Sequence, residues 1–314
     1  MALPAMSLLA LPYVRRELPG WGTVARYAGI FDERRWRGAD TRTIRGKLHG
    51  YQLYLDLANW SERQTFFLGR FYELETQLTI RALLERGDTL VDVGANIGMI
   101  TLVGARSVGP SGRVYSIEPQ PEAFGRLENH ITRNHLQQVT ALQLGLSDEP
   151  EVLRLATLVG HTGMSTFASL GAAQQQAVSG SYEARVERGD EVLAGAPAAA
   201  PMVIKIDVEG FEIRVLRGLR QTLRRHRPAV ITELVPDHLR RAGFEPEQLF
   251  ELMNEAEYRS FQMTTRREGL RHRLSLRPLS ARSLRLGQIK QANVLWVRDS
   301  GPHLSRITRY VVPS

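Results

Sequence analysis

Cysteine is absent from this sequence of 314 residues. Without thiols the chain cannot form disulfides, thiolate zinc sites or a cysteine nucleophile. Long apolar runs are lacking as well, since the apolar start over 1–13 is too short to span a bilayer and has no basic residue before it. We therefore expect a cytoplasmic protein without a transmembrane segment.

Positive charge exceeds negative charge, with a formal net charge of +8 that comes almost entirely from arginine. Such a balance can indicate nucleic acid, an anionic lipid or another acidic partner. The arginines are scattered, however, and crowd only at 217–227 and 266–285. A solvated basic surface accounts for this distribution better than a binding patch does. We do not expect nucleic acid as the partner.

The distribution of prolines and glycines divides the chain into a cap and a catalytic domain. Prolines and glycines interrupt residues 1–50, which predicts an irregular or helical cap. From residue 89 onward apolar strands alternate with helical segments, as is typical of a parallel sheet with crossover helices. Residues 51–314 are predicted to form one α/β domain. The insert at about 150–201 is rich in glycine and alanine and is predicted to be a lid over the site.

Apolar segments and their spacing predict the individual elements of this domain. Strands are expected at 51–57, 90–93, 114–117, 141–144, 203–206 and 229–232, with the last two at 258–263 and 293–297. Helices are expected at 73–86, from residue 98, at 121–134 and at 213–224. The final strand is expected to come from a C-terminal hairpin.

The sharpest motif is a glycine-punctuated turn that follows the strand at 90–93. Gly94 and Gly98 permit a tight turn and a close approach of the backbone to a ligand over the carboxyl end of the strand. Asn96 stands where a dinucleotide-binding turn has its middle glycine, which favours a ligand without pyrophosphate. Asp92 places a carboxylate beside the turn, where it suits an ammonium group. S-adenosylmethionine carries an ammonium group and no phosphate.

Polar residues also follow the next two strands. Glu118 comes 20 residues after Gly98, at the spacing where a carboxylate can accept both ribose hydroxyl protons. Nicotinamide-dependent oxidoreductases share this feature and are the competing enzyme class, against which the missing middle glycine counts. Ser147 and Asp148 follow the third strand, either as adenine contacts or as an ordinary polar loop.

Further carboxylates are predicted at the same edge of the sheet. Asp207 and Glu209 follow the strand at 203–206, and Glu233 follows the next strand. Like charges close together raise the pKa of one of them, so this group can prepare a general base or bind a divalent cation. The structural alternative is helix capping or an ion pair. His161 in the insert is a candidate proton acceptor, and no residue is assigned as a metal ligand.

These strings together resemble the FkbM family of methyltransferases. The matching segments are 71–73, 91–98, 118–119, 146–148 and 204–212, within a resemblance that runs from about residue 50 to 297. The resemblance implies a Rossmann-like fold with a seven-stranded, mostly parallel sheet, helices on both faces and a C-terminal antiparallel strand. It also implies cofactor contacts by Glu73, Asp92, Gly94, Asn96, Gly98 and Glu118.

The activity that the resemblance implies is methyl transfer from S-adenosylmethionine, usually to a hydroxyl oxygen of a glycan, a sugar or a polyketide-type product. We expect the hydroxyl to attack in line, with alignment and water exclusion as the main contributions, and Asp207, Glu209 or a bound cation assisting proton removal. The alternative from another class is a methyltransferase or binding protein that acts on nucleic acid through the basic surface. A homodimer formed through the cap is compatible with the sequence.

Overall fold

Strands of three sheets form the frame of the protein in the computed structural model, which describes residues 5–158, 161–166, 178–285 and 289–312. The strands are β1 (Thr41–Arg45), β2 (Gln52–Asp56), β3 (Thr89–Val93), β4 (Arg113–Ile117), β5 (Val139–Leu142), β6 (Gly145–Ser147), β7 (Glu151–Leu158), β8 (His161–Thr166), β9 (Val178–Arg188), β10 (Met202–Ile206), β11 (Ala229–Leu234), β12 (Tyr258–Glu268), β13 (Arg271–Pro278) and β14 (Ala292–Arg298).

The large sheet has eight strands in the order β13-β12-β14-β11-β10-β3-β4-β5. The strands β5, β4, β3, β10 and β11 are parallel, whereas β14 is antiparallel to both of its neighbours. Every residue of β3 and β10 is buried, as expected for parallel strands with helices on both faces. The strand order reverses between β3 and β10. Ligands of such sheets bind at the carboxyl ends of the strands at this reversal.

Helices cover both faces of the large sheet and build the N-terminal region. They are α1 (Ala5–Arg15), α2 (Trp21–Tyr27), α3 (Glu33–Trp36), α4 (Trp60–Leu68), α5 (Leu74–Leu83), α6 (Met99–Val108), α7 (Pro121–Arg133), α8 (Gly189–Val192), α9 (Glu212–Gly218), α10 (Arg220–His226), α11 (Pro236–Arg241), α12 (Pro246–Glu255), α13 (Ala281–Arg285) and α14 (Pro302–Ile307), followed by a 3-10 turn at Thr308–Tyr310. Among the described residues, no helix combines the length and the apolar character that crossing a bilayer requires.

The sheet separates two apolar clusters, one on each face. Leu90 and Val203 belong to the first cluster, whereas their chain neighbours Val91 and Ile204 belong to the second. This alternation follows from the two-residue period of a strand. The central strands therefore contribute apolar side chains to both faces, which explains their nearly continuous apolar sequence.

The described part of the cap at 1–50 contains three short helices and β1, and it shares the first apolar cluster with the large sheet. Trp36 is fully buried and packs edge-to-face on Phe67, with ring centroids 5.6 Å apart. The buried guanidinium of Arg63 donates through Nε to the Ile30 carbonyl at 2.8 Å. These contacts fix the short helices in place despite the prolines and glycines between them.

The insert at 150–201 contributes β7, β8 and β9 to a separate sheet in the order β6-β9-β7-β8. Leu155 of β7 is buried and lines the cavity described below. An insert that reaches the cavity is compatible with the predicted lid, which stays a prediction.

The fold class predicted from the sequence is confirmed, with differences in detail. The sheet has eight strands instead of seven because β12 and β13 form a hairpin that adds an edge strand. The final strand does not come from that hairpin, since β14 lies between β11 and β12. The helix expected at 213–224 is divided into α9 and α10. The second helix starts where the Asp190 carboxylate accepts hydrogen bonds from the Gln221 and Thr222 amides.

Gly218 is required by the contact between α9 and β6. A Cβ atom added there would lie 1.9 Å from the carbonyl oxygen of Ser147 in β6. We expect Gly218→Ala to lower the free energy of unfolding by about 1–3 kcal/mol, because the backbone must move apart. Gly125→Ala is the matched control, since its Cβ would meet no atom within 4 Å on the exposed face of α7. The control should gain about 0.5–1 kcal/mol in urea unfolding, and equal stability of the two variants would contradict the contact.

Candidate active site

A cavity of about 430 Å³ opens at the carboxyl ends of β3, β4, β10 and β11. This volume lies in the range of small-molecule sites. The predicted residues that line it are Glu73, Gly94, Asn96, Glu118, Asp207, Glu209 and Glu233. The fold therefore brings together seven of the twelve residues singled out from the sequence.

The turn after β3 is shaped by close packing against the neighbouring strand. Gly94 has a φ of 72°, and a Cβ atom there would lie 2.0 Å from the backbone oxygen of Asp207. Only glycine fits this approach. Gly98 has a φ of 92° and starts α6, where a Cβ would lie 2.7 Å from Leu127 of α7. Gly98 thus serves helix packing and does not line the cavity, which corrects the expectation of a cofactor contact.

Glu118 connects the ends of β3 and β4. Its Oε2 accepts a hydrogen bond from the Asn96 amide at 2.7 Å, and its Oε1 accepts one from the Gln120 amide at 2.9 Å. Burial raises the pKa of Glu118, against the opposing effect of these two bonds. A carboxylate oxygen has two lone pairs, so each oxygen can still accept a hydroxyl proton from a ligand. Glu118 fits the predicted role at a ribose.

Asp92 does not reach the cavity, which corrects the expectation that it contacts an ammonium group. Its side chain is fully buried beneath the turn. Oδ2 accepts a hydrogen bond from Thr101 Oγ1 of α6 at 2.7 Å, and Oδ1 lies 3.6 Å from Lys205 Nζ. Because β3 is covered on both faces, the side chain before the turn points into the interior. Asp92 supports the site through Lys205.

Lys205 is a site residue that the sequence prediction missed. Its Nζ donates to the Gly94 carbonyl at 2.9 Å and lies 3.3 Å from Asp207 Oδ2. Burial lowers the pKa of Lys205, but the nearby charges of Asp207, Asp92 and Glu73 outweigh it and raise the pKa above its ordinary value. The ammonium therefore stays charged. A lysine within the apolar strand at 203–206 was the signal, because a buried lysine needs partners.

Two carboxyls of the cavity hold protons far above the usual range. Burial, and then the charge of Asp207, raise the pKa of Glu73 to about 7, although Lys205 opposes them. Burial, Asp207 and Glu209 raise the pKa of Glu233 to about 9. Gln291 donates to Glu233 Oε1 at 2.7 Å. The fold thus gathers these carboxyls in one cavity.

Glu209 lies beside His238, a second residue that the sequence prediction missed. Glu209 has a φ of 53°, and its Oε2 is 2.8 Å from His238 Nδ1 of α11. Polar atoms of Glu209, Glu233 and His238 lie within 4.8 Å of one another. A lone histidine after a proline gives no periodic signal in the sequence. Its role becomes visible only when α11 is placed against the loop after β10.

Ser147 and Asp148 do not line the cavity, which corrects their prediction as adenine contacts. Ser147 is fully buried in β6 and donates to Asp148 Oδ1 at 3.1 Å. Asp148 Oδ1 also accepts from Arg214 Nε at 2.7 Å. The chain leaves the large sheet after β5 and pairs with β9, which takes both residues away from the carboxyl edge. His161 begins β8, but its side chain lies outside the described residues.

A comparison with protein families decides the class of the chain. The model of the FkbM methyltransferase domain matches residues 92–260, more than half of the sequence. This chain belongs to the FkbM methyltransferase family. It is accordingly a methyltransferase that uses S-adenosylmethionine. The competing prediction of a nicotinamide-dependent oxidoreductase is wrong. A divalent cation finds no support among the relatives of this FkbM protein.

Several proteins are similar to this FkbM chain. Hexuronic acid methyltransferase AglP of Haloferax volcanii is 31% identical over 183 residues, 57% of this chain and 68% of that protein. The 31-O-demethyl-FK506 methyltransferase FkbM of Streptomyces tacrolimicus is 33% identical over 160 residues, 43% of this chain and 61% of that protein. A crystal structure of methyltransferase FkbM from Methylobacillus flagellatus aligns with 93% of this chain and 58% of that chain, at 16% identity and a TM-score of 0.41.

The raised pKa of Glu233 makes the stability of this FkbM protein dependent on pH. An ordinary glutamate ionises near pH 4.5, whereas Glu233 keeps its proton to about pH 9 when folded. The folded protein binds more protons than the unfolded chain between these values. The free energy of unfolding should therefore fall as the pH rises from 5 to 9, by up to about 1.4 kcal/mol per pH unit for one such group.

Urea unfolding of Glu233→Gln at pH 5, 7 and 9 measures this effect, because glutamine does not titrate. The variant should lose less stability than the wild type over this range. Glu128→Gln on the exposed face of α7 is the matched control and should follow the wild type. Parallel profiles of Glu233→Gln and the wild type would contradict protonation of Glu233 at neutral pH.

Proposed function

We propose that this protein methylates a hydroxyl oxygen of an uncharged acceptor, a sugar or a polyketide-type product. The observation that carries the proposal is the charge of the cavity. Its described lining holds six carboxyl side chains and one lysine, and that lysine is already engaged by carboxylates. A low-dielectric site of this composition attracts cations and repels anions.

The cofactor fits this charge. S-adenosylmethionine supplies an activated methyl group on a positively charged sulfur and carries no phosphate. We place its ribose at Glu118 and its amino acid part near Glu73, beside the backbone turn of Gly94 and Asn96, which all line the cavity. A pyrophosphate would meet the same carboxylates without a free cation among the described lining residues.

An aromatic wall supports the same orientation. Trp60 and Tyr72 line the cavity and pack edge-to-face, with ring centroids 5.0 Å apart. Aromatic faces attract a ligand cation by about 0.5–2 kcal/mol, so a sulfonium is stabilised against this wall. Together with Leu155 of the insert, the wall keeps water from the methyl group. Alignment and exclusion of water are the largest contributions to a displacement of this kind.

We infer the class of acceptor from the repulsion between an anionic acceptor and the carboxylates of the cavity, as well as from the acceptors that the relatives' names specify. The name of the Haloferax relative specifies a hexuronic acid, whereas that of the Streptomyces relative specifies an oxygen of a macrolide. A carboxylate on the acceptor would lie in the same cavity as Asp207 and Glu209. A neutral hydroxyl compound avoids this cost, and the polyanionic backbone of nucleic acid would incur it most strongly. The basic surface therefore does not point to a nucleic-acid substrate at this cavity.

Calorimetry with S-adenosylmethionine and S-adenosylhomocysteine tests the cofactor placement. A positive sulfur near Glu73 and Glu233 favours their ionised forms, so S-adenosylmethionine should release protons on binding at pH 7. S-adenosylhomocysteine lacks that charge and should release fewer. Heats measured in two buffers of different ionisation enthalpy give the proton count. NAD should not bind.

The two adenosyl compounds are a matched pair because they share ribose, adenine and amino acid groups. Equal proton release with both would show that the sulfonium lies away from the carboxyls. If neither compound binds, the cofactor placement fails altogether.

Pairs of acceptors that differ by one carboxylate test the acceptor class. Methyl glucopyranoside and its glucuronate form such a pair, and a hydroxylated macrolide with its carboxylated derivative forms another. We expect kcat/KM to favour the neutral member by about tenfold or more, equivalent to about 1.4 kcal/mol of repulsion. The difference should narrow at high salt, because salt screens the charges. A preference for the glucuronate, or no transfer to any neutral member, would contradict the proposal.

A further inference from the structure

We infer that His238, held by Glu209, takes the proton from the acceptor hydroxyl during methyl transfer. The inference rests on the proposed function, because it needs an acceptor that carries a proton on the attacking oxygen. His238 lies in α11, outside every motif that the sequence singled out, and yet it lines the same cavity as Gly94, Glu118 and Asp207.

The backbone brings the two side chains together. Gly210 has a φ of 105°, and a Cβ atom there would lie 2.5 Å from the backbone oxygen of His238. This close contact seats the loop after β10 directly on α11. Pro236 starts the helix immediately after β11 and so fixes where His238 stands relative to Glu233.

One edge of the imidazole ring faces Glu209, and the other edge is left for the acceptor. Nδ1 is buried and lies 2.8 Å from Glu209 Oε2. The side chain as a whole is 19% exposed, so the accessible part of the ring lies on its remaining atoms. A carboxylate at this distance compensates the positive charge that the ring acquires with a second proton, as in other carboxylate–histidine pairs. Nε2 is the atom left to accept it.

The other titratable groups of the cavity are less suited to this task. Glu73 Oε2 accepts a hydrogen bond from Thr76 Oγ1 at 3.2 Å, and Glu233 Oε1 accepts one from the Gln291 side chain at 2.7 Å. Asp207 lies 3.3 Å from the charged Lys205. A base must be unprotonated and unpaired at the working pH. Nε2 of His238, on the edge of the ring away from Glu209, is placed to accept the proton.

The step balances in atoms and charge. A lone pair of the acceptor oxygen forms the new bond to the methyl carbon, and the bond from that carbon to sulfur breaks with its electron pair left on sulfur. The hydroxyl proton moves to Nε2 of His238, so the positive charge that leaves the sulfur appears on the imidazole. Glu209 then faces that charge. The proton is released to solvent before the next cycle.

The charges around the ring favour a cationic histidine after the transfer. From the loop after β10 the ring faces Glu209, and from β11 it faces Glu233. Asp207 lines the same cavity. Its own helix carries Asp237, Arg240 and Arg241, of which Arg240 is paired with Asp237 and approaches Glu245 before α12.

The test uses His238→Gln, His238→Ala and the control His226→Gln, whose histidine ends α10 outside the cavity. Transfer to the best neutral acceptor of the pairs described above is measured from pH 5 to 9, together with calorimetric binding of S-adenosylmethionine. We expect His238→Gln to bind the cofactor as the wild type does but to lower kcat by about 100-fold. The pH profile of this variant should differ from that of the wild type, because glutamine does not titrate.

Rescue by free imidazole separates a chemical role from a structural one. Imidazole should restore part of the activity of His238→Ala in proportion to its unprotonated form, and it should not affect His226→Gln. A wild-type rate and pH profile in His238→Gln, or a loss in His238→Ala that imidazole does not restore, would overturn the inference. Loss of wild-type activity in EDTA with recovery in Mg²⁺ would also overturn the inference, because Glu209, Glu233 and His238 would then bind a cation. Wild-type protein that methylates none of the neutral acceptors would instead refute the proposed function.

Discussion

The ammonium of Lys205 connects the two halves of the sheet at the point where the site forms. It donates to the Gly94 carbonyl in the turn after β3 and contacts Asp207 at the end of its own strand, with Asp92 below. Without this charge, the carboxyls of Asp92, Asp207 and Glu73 would lie near one another with no positive charge to balance them. Removing one partner of a buried ion pair costs about 3–5 kcal/mol. The shape of the turn and the ionisation of the cavity therefore depend on the same side chain.

The cavity as a whole still carries more acid than base, and this excess links stability to ligand binding. Glu73 and Glu233 retain protons because both are buried and because Asp207 places a negative charge near each of them. A cationic ligand supplies the missing compensation. Protein and cofactor are thus complementary in charge, and the free protein is expected to be less stable at high pH than the loaded one. The same excess of acidic groups disfavours an acceptor that carries an anionic group.

The sequence was sufficient for the parallel sheet, the glycine turn and the ends of four strands, because strand periodicity and the carboxyl-edge rule are local or topological properties. The sequence did not reveal which polar side chains at the strand ends point into the interior. Asp92 and Ser147 follow the pattern of ligand contacts but are buried, since a strand covered on both faces leaves no open side. Lys205 and His238 were missed for the opposite reason. Their significance arises from neighbours distant in the chain, and His238 is placed by the packing of Gly210 on α11.

Two turns of the cavity carry backbone strain, and a buried glutamate holds each of them. Asn96 and Glu209 both adopt a positive φ, near 50°, which costs a residue with a Cβ about 1–2 kcal/mol. Glu118 accepts the amide of Asn96, and Glu212 Oε1 lies within hydrogen-bonding distance of the amides of Val208 and Gly210 on either side of Glu209.

A buried carboxyl beneath each strained turn thus binds the amides that the turn exposes. Burial raises the pKa of Glu212 to about 7, although its backbone hydrogen bonds lower it. The hydrogen bonds of Glu118 and Glu212 therefore stabilise the loops that carry Asn96 and Glu209. Acidic residues that follow the strands thus also serve to hold the turns that line the cavity.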